Sequence, residues 1–216
     1  RSDKLQGRLD LMVDLKTGRY DVGLAGQLNR YLIPGLGIVD VKSELKVVPG
    51  ADGRGTRVLG RGQVWVRQFD NAFLAGLAGG LPYLESGLER GIDGNLRLFD
   101  LRIRAPALSL TGSGMRLANG RFIVEGSGRQ ATYGPFRLAL NGDITRPQID
   151  LLLASPNEAA GLRDVRLRLD PTPQGFAWTA RGGSMIGPFA GNGDILLPSG
   201  GAATIRIARL DASGLG

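Results

Sequence analysis

From Leu5 onward the chain alternates apolar and polar residues with a period of two, and it returns to that alternation after almost every glycine- or proline-containing break. Leu5, Gly7, Leu9, Leu11, Val13 and Leu15 share one parity, while Gln6, Arg8, Asp10 and Asp14 share the other. Period two sends successive side chains to opposite faces of an extended strand, so this stretch reads as a strand with one buried face. "KTGR" then makes a turn, and Tyr20, Val22, Leu24, Gly26 and Leu28 carry the alternation back. In a third strand Val39, Val41, Ser43, Leu45 and Val47 oppose Asp40, Lys42, Glu44 and Lys46. It ends at "PGADGRG", whose Asp-Gly is a hairpin signal, before a return strand "TRVLGRGQVWVRQF".

One segment departs from period two. In "DNAFLAGLAGGLPYLESGLERGI", residues 70–91 approximately, Phe73, Leu77, Leu84 and Leu88 recur at spacings of four and seven after a capping Asp70 or Asn71. The spacing predicts a helical insertion, split into two short helices by Pro82. Alternation then resumes to the end, interrupted by turns such as Asp93-Gly94 and Asn119-Gly120 and by an excursion at "PNEAAGLRD". Roughly a dozen short strands joined by tight turns predict an all-β fold with one short helical insertion, arranged as a long antiparallel meander. A sheet apolar on one side must close into a barrel, fold into a sandwich or curl around an apolar ligand. Glycines inside strands, such as Gly60, Gly62, Gly126 and Gly142, permit the bends of a curled sheet.

An internal echo supports a repeating unit. "GPFRLALNGDI" at Gly134–Ile144 returns in shortened form as "GPFAGNGDI" at Gly187–Ile195. Gly-Pro-Phe reads as a turn that launches a strand with its aromatic on the apolar face, and the shorter copy predicts a strand two residues shorter. Both Phe-to-Ile separations are even, so the face is kept.

Composition excludes several chemistries. The chain has no cysteine and no histidine, which removes disulfides, thiolate metal sites and any Ser-His-Asp or Cys-His mechanism. The "TGSG" at Thr111 and "EGSG" at Glu125 lack the endings and spacings of phosphate-binding or nucleophile loops, and read as bends within strands. Asp10, Asp14 and Asp21 read as solubilising carboxylates on a polar face rather than metal ligands. No catalytic residue, metal or cofactor is expected, and the reading is not an enzyme. The net charge of +7 favours anionic partners. The arginines at 57, 61 and 67 beside Trp65, at 102 and 104, and at 163, 166 and 168 read as a solvated exterior with a minority role at anionic head groups, and no nucleic-acid partner is expected. No signal peptide and no membrane-spanning apolar run is visible. The chain begins and ends in mid-pattern, so it reads as one repetitive β unit over 1–216, cut from a longer protein.

"LNGDITRPQIDLLLA" at Leu140–Ala154, preceded by "LTGSG" and "NGRFIVEGSG", resembles the repeating strands of the AsmA-like envelope proteins, the group that includes the TamB and YdbH types. Val47–Leu98 is most similar to the YdbH type, chains associated with phospholipid transport between membranes. The resemblance implies a β-taco-like sheet curled into a U-shaped groove, periplasmic and anchored to the inner membrane through a segment absent here. It implies phospholipid acyl chains as ligand, and inner- and outer-membrane proteins at the ends of the full-length chain as partners. The groove lining expected on one face is Leu9, Leu11, Val13, Val22, Leu24, Val41, Leu45, Phe122, Val124, Phe136, Leu138, Leu140, Ile144, Ile149, Leu151, Leu153, Val165, Leu167 and Leu169. Two other readings stand beside the conduit: a TamB-like outer-membrane assembly factor that offers its sheet edges, and a closed β-sandwich or barrel with a structural or binding role.

Overall fold

A computed structural model describes residues 4–13, 20–33, 36–50, 55–70, 72–143, 146–197 and 203–213. The strands are β1 (Lys4–Val13), β2 (Tyr20–Ile33), β3 (Gly37–Pro49), β4 (Thr56–Phe69), β5 (Tyr83–Arg90), β6 (Leu96–Ala105) and β7 (Leu108–Arg116). They continue as β8 (Phe122–Gln130), β9 (Gly134–Gly142), β10 (Pro147–Leu153), β11 (Arg163–Thr172), β12 (Gly175–Ser184), β13 (Gly187–Leu196) and β14 (Thr204–Ala212), and one helix, α1 (Ala72–Ala78), stands between β4 and β5. All fourteen strands form a single antiparallel meander in which spatial order equals chain order. β1 and β14 do not pair, so the sheet is open and neither a barrel nor a sandwich. The expected turns over residues 16–19 and 51–54 lie outside the described residues, as does Ile144.

The helical insertion expected over 70–91 is half right. Only Ala72–Ala78 is helical, whereas Tyr83–Arg90 is strand β5, paired on both sides. The reason is arithmetic: Leu84 and Leu88 are four apart, a spacing that one helical turn and two strand repeats both satisfy. Gly79, at φ +65°, ends the helix by donating its N–H to the Ala75 carbonyl at 2.9 Å. Pro82 bars its continuation.

α1 is fastened by its C-terminal end. The Ala107 N–H donates to the Ala78 carbonyl at 2.8 Å, and the Gln130 side-chain Nε2 donates to the Leu77 carbonyl at 3.2 Å. Gln130 is itself buried, and its Oε1 accepts from the Thr132 and Tyr133 N–H groups. A lone buried amide is costly, so this full set of partners fixes both the helix end and the β8–β9 turn.

Register shifts keep the apolar side chains in phase. In β6 the inward set is Leu96 and Leu98, then Leu101 and Ile103, and the parity change is absorbed by an irregularity between Leu98 and Leu101. β2 makes the same change between Leu28 and Tyr31. The three non-glycine residues at positive φ, Arg30, Asp100 and Asp164, sit within or beside these shifts and a third in β11. One carboxylate secures two of the irregularities near the α1 end. Asp40 accepts from the Arg30 N–H and from the Arg67 Nε, each at 2.7 Å, and those residues lie at the shifts in β2 and β4. The backbone bond from Arg30, reinforced by Arg67, holds the Asp40 carboxyl below its usual range.

The echoed Gly-Pro-Phe behaves as expected at its first half. Gly134 and Gly187 both adopt positive φ and both open a strand, β9 and β13. The expected shortening does not occur: β9 has 9 residues and β13 has 10. In the first copy Asn-Gly closes the strand, whereas in the second it continues inside β13 and carries a register shift at Asn192/Gly193.

Large side chains lie over cross-strand glycines at several places. Phe136 faces Gly128, and a methyl on Gly128 would come within 2.9 Å of Phe136 Cζ and closer still to the Ser109 carbonyl. Gly128→Val is therefore expected to destabilise the sheet by about 1–3 kcal/mol in urea unfolding. By contrast Gly76→Ala, in open space on α1, is expected to gain up to about 1 kcal/mol. Because the folded Asp40 carboxyl is depressed, its contribution is present above the ordinary carboxylate value and disappears as pH falls through the depressed one. Asp40→Asn is expected to cost about 1–2 kcal/mol at pH 7. Unfolding curves of the two proteins should converge at a pH below the ordinary carboxylate range; a constant gap at every pH would show that the charge has no part in the bond.

Candidate functional site

Following the register from strand to strand shows how the alternation adds up in space. One row runs Leu28, Val41, Val64, Leu84, Ile103, Leu110, Gly128, Phe136, Leu153 and Val165 across β2–β11. A second row on the same face crosses all fourteen strands: Leu9, Leu24, Leu45, Gly60, Leu88, Leu98, Gly114, Val124, Leu140, Ile149, Leu169, Trp178, Gly193 and Ile207. Leu11, Val22, Val47 and Val58 begin a third, which passes through Arg90, Leu96 and Arg116 before it reaches Phe122 on β8.

Between the first two rows lies a row of a different kind. Across β1–β5 it reads Gly7, Gly26, Ser43, Gly62 and Ser86. Leu101 interrupts it on β6 before Gly112 and Gly126 continue it on β7 and β8. From β9 it becomes large, with Leu138, Leu151 and Leu167 in succession. Over the N-terminal half this row holds mostly small residues, with Leu88 leaning toward Gly62 and Leu110 toward Gly126, and over β9–β11 it holds leucines. Rows two residues apart are about 6.8 Å apart, so the four rows make a band about 20 Å wide, interrupted by charge over β1–β8 only at Arg90 and Arg116 in its outermost row. Fourteen strands carry the band over about 60 Å.

Every described residue of the expected lining lies on this face. Val41, Phe136, Leu153 and Val165 are in the first row, and Leu138, Leu151 and Leu167 are in the mixed row. Leu9, Leu24, Leu45, Val124, Leu140, Ile149 and Leu169 are in the all-strand row. Leu11, Val22 and Phe122 follow in the next, with Val13 one pair beyond Leu11. Sequence reasoning omitted Val64, Leu84, Leu98, Leu101, Ile103 and Leu110. Leu101 and Leu110 belong to the tightest apolar cluster, with Val124 and Phe136. The phase break at Phe99-Asp100 hid Leu98 and Leu101 from a strict period-two reading.

Burial along the band is uneven. Near α1, Val39 is fully buried and Val66 almost so. The central cluster of Leu101, Leu110, Val124 and Phe136 is at most 9% exposed. At the two outer edges Leu9, Leu11, Ile205, Ile207 and Leu210 are all more than 60% exposed. Among the described residues the main contacts of each strand are with its chain neighbours, and α1 lies against β4.

The opposite face is charged and, over its N-terminal half, paired. Arg57 meets Glu89 at 2.6 Å, Arg67 meets Asp40 at 2.7 Å and Arg102 meets Glu85 at 3.6 Å. Tyr83 stacks at a tilt on Trp65, ring centroids 5.3 Å apart, and accepts from Gln63 Nε2 while donating to Glu85. Burial and the neighbouring Glu85 push its phenol above the usual value. These groups make a network that supports the sheet. Among the described residues no three Asp or Glu side chains gather in a form that would hold a metal, and no helix is long and apolar enough to cross a membrane. No protein-family model, curated protein or solved structure matches the chain.

Proposed function

We propose that this chain is a segment of a non-enzymatic lipid conduit, in which the apolar band shields phospholipid acyl chains as they pass between the inner and outer membranes of a two-membraned cell. The observation that carries the reading is the continuous row from Leu9 to Ile207, an apolar or glycine position on every strand of one open sheet. An isolated sheet with one apolar face is unstable in water unless something apolar occupies that face. A row without polar interruptions offers no single preferred stop along its length. Each methylene kept from water is worth about 0.8 kcal/mol, so a sixteen-carbon tail gains on the order of 10 kcal/mol from shielding. A band about 20 Å wide also matches the extended length of such a tail, while the head group reaches water at the band's margin. The resemblance to AsmA-like envelope proteins agrees with this use and with a periplasmic location. At about 60 Å the segment exceeds one bilayer's thickness, about 40–45 Å with head groups, and falls short of joining two membranes.

The open edges favour a second reading, in which β1 or β14 pairs with strands of nascent outer-membrane proteins. The two differ in what they need. Strand addition uses edge N–H and C=O groups, and a conduit uses the middle of the band.

Organic extraction of the chain purified from cells, followed by mass spectrometry, is expected to release phospholipid well above a control protein treated in parallel. Leu138→Asp and Leu151→Asp, where the mixed row holds leucines, should each cut that yield several-fold while circular dichroism stays β-type. An extract indistinguishable from the control would sink the conduit, and unchanged yield from both variants would move the lipid off this face. Protection of β1 or β14 amides by an added barrel-strand peptide, with no lipid present, would favour the edge reading instead.

A further inference from the structure

The two faces of the sheet differ in a way that acyl-chain shielding leaves unused. A concavity of about 1220 Å³ opens across β7–β14. Its walls are Thr111, Ser127, Arg137, Arg166 and Arg181 on one side of its floor, with Glu125, Asp150, Arg168 and Asn192 on the other. These residues have the polar parity. Leu138, Leu151 and Leu167 of the mixed row lie between the two walls as its floor, while the apolar ridges on either side of that row, Leu110, Phe136 and Leu153 or Leu140, Ile149 and Leu169, do not line it, so the hollow opens on the face opposite the apolar band. A twisted sheet is saddle-shaped, so each face is concave along one diagonal.

Within the hollow the register makes one cross-strand row of Thr111, Ser127, Arg137, Leu152, Arg166 and Arg181. Arg166 stands directly opposite Arg181, and Arg137 is two strands away, about 10 Å along the row. A smaller adjoining hollow of about 580 Å³ shares Arg166 and Arg181 and adds Arg163. Like charges directly opposite each other in a sheet are destabilising. Elsewhere on the same face several arginines are paired, while Arg104 and Arg129 have no carboxylate partner among the described residues and face no arginine across the strands. Arg57, Arg67, Arg102, Arg168 and Arg209 each have a carboxylate partner. Among the described residues Arg137, Arg166 and Arg181 have none. Of the carboxylates in the hollow, Asp211 pairs with Arg209 and Asp150 sits opposite Arg168 while accepting from Gln148, whereas Glu125, in the neighbouring row on β8, has no ion-pair partner among the described residues. Beside the row, Asp164 at φ +50° and the register shift that follows it re-aim β11 just before Arg166.

We infer that this row is a binding site for a phosphate group, held by Arg137, Arg166 and Arg181 with the Ser127 and Thr111 hydroxyls as further donors. Guanidinium forks suit a group that offers several anionic oxygens, and one phosphate can accept from more than one fork at once. The site faces away from the apolar band, so it stands or falls apart from the conduit reading. Its phosphate can come from a lipid head group or from a free phosphate in solution.

Calorimetric titration of the full chain at low salt is the test, with inorganic phosphate, pyrophosphate and glycerol 3-phosphate as probes and acetate as control. Saturable binding of at least one phosphate probe is expected, weakening with added salt. The double variant Arg166→Gln/Arg181→Gln should bind at least tenfold more weakly and melt no lower than the parent, since it removes a like-charge pair. Tighter glycerol 3-phosphate than inorganic phosphate assigns the head group, and the reverse order assigns the free anion. Absence of saturable binding by all three probes, acetate binding equal to phosphate, or undiminished binding by the double variant would each overturn the site. A clearly lowered melting temperature in the double variant would do the same, because it would show that the arginines serve the fold. Lipid extraction of that variant is expected to match the parent where the free anion is the ligand and to fall where the head group is.

Discussion

Everything in this molecule depends on keeping the apolar side chains in phase across fourteen strands. A slip of one residue in any pairing would move that strand's leucines and valines to the charged face and its arginines and aspartates to the apolar one. A two-layer fold can tolerate some disorder because a partner layer selects the right face. In this sheet the main contacts of each strand are with its chain neighbours, so the phase is set locally, by tight turns between neighbours and by irregularities that absorb an extra residue where the sequence departs from period two. Asp40 shows how such a correction is secured: one carboxylate ties the Arg30 backbone and the Arg67 side chain at once, so two shifts are held by a single group.

Those same corrections mark the boundary of what the sequence makes legible. Alternation and turn residues are local, and they reveal the all-β class, the meander and the face on which each strand's apolar residues fall. The strand β5 escapes because Leu84 and Leu88 satisfy two periodicities, and only its pairing with β4 and β6 separates them. Leu101 escapes because Phe99 and Asp100 together face one position on β7, an event that exists only between strands. The echoed motif is a subtler case. Its turn is local and both copies adopt it, but strand length depends on where the neighbouring strand stops, so Asn-Gly ends β9 and passes through β13. The candidate lining shares this division: membership of the face could be read from parity, whereas the order of the rows and the alignment of small residues in one of them needed the register.

The charged face tells a complementary story about the net charge of +7. Composition alone suggests a diffuse basic surface. The register shows that pairing is concentrated over β3–β6, while Arg137, Arg166 and Arg181 stand together without carboxylates on β9–β12. The positions where the apolar face changes from glycine to leucine, at Leu138, Leu151 and Leu167, are on the same strands. One stretch of sheet thus carries leucines on its apolar side and three unpaired arginines, beside the Arg168–Asp170 pair, on its polar side.

A sheet whose spatial order equals its chain order is close to one-dimensional. Each strand gains nearly all of its contacts from its two neighbours, and no distant part of the chain must arrive before a hairpin can form. Stability then accumulates strand by strand, and adding or deleting a hairpin changes length without changing the cross-section. The Gly-Pro-Phe unit, used at both β9 and β13, fits that mode of growth. The cross-section is what an acyl chain would experience, and the number of hairpins sets only how far it could travel. For such a protein, selection acting on the width and polarity of the band and selection acting on its length can proceed almost independently.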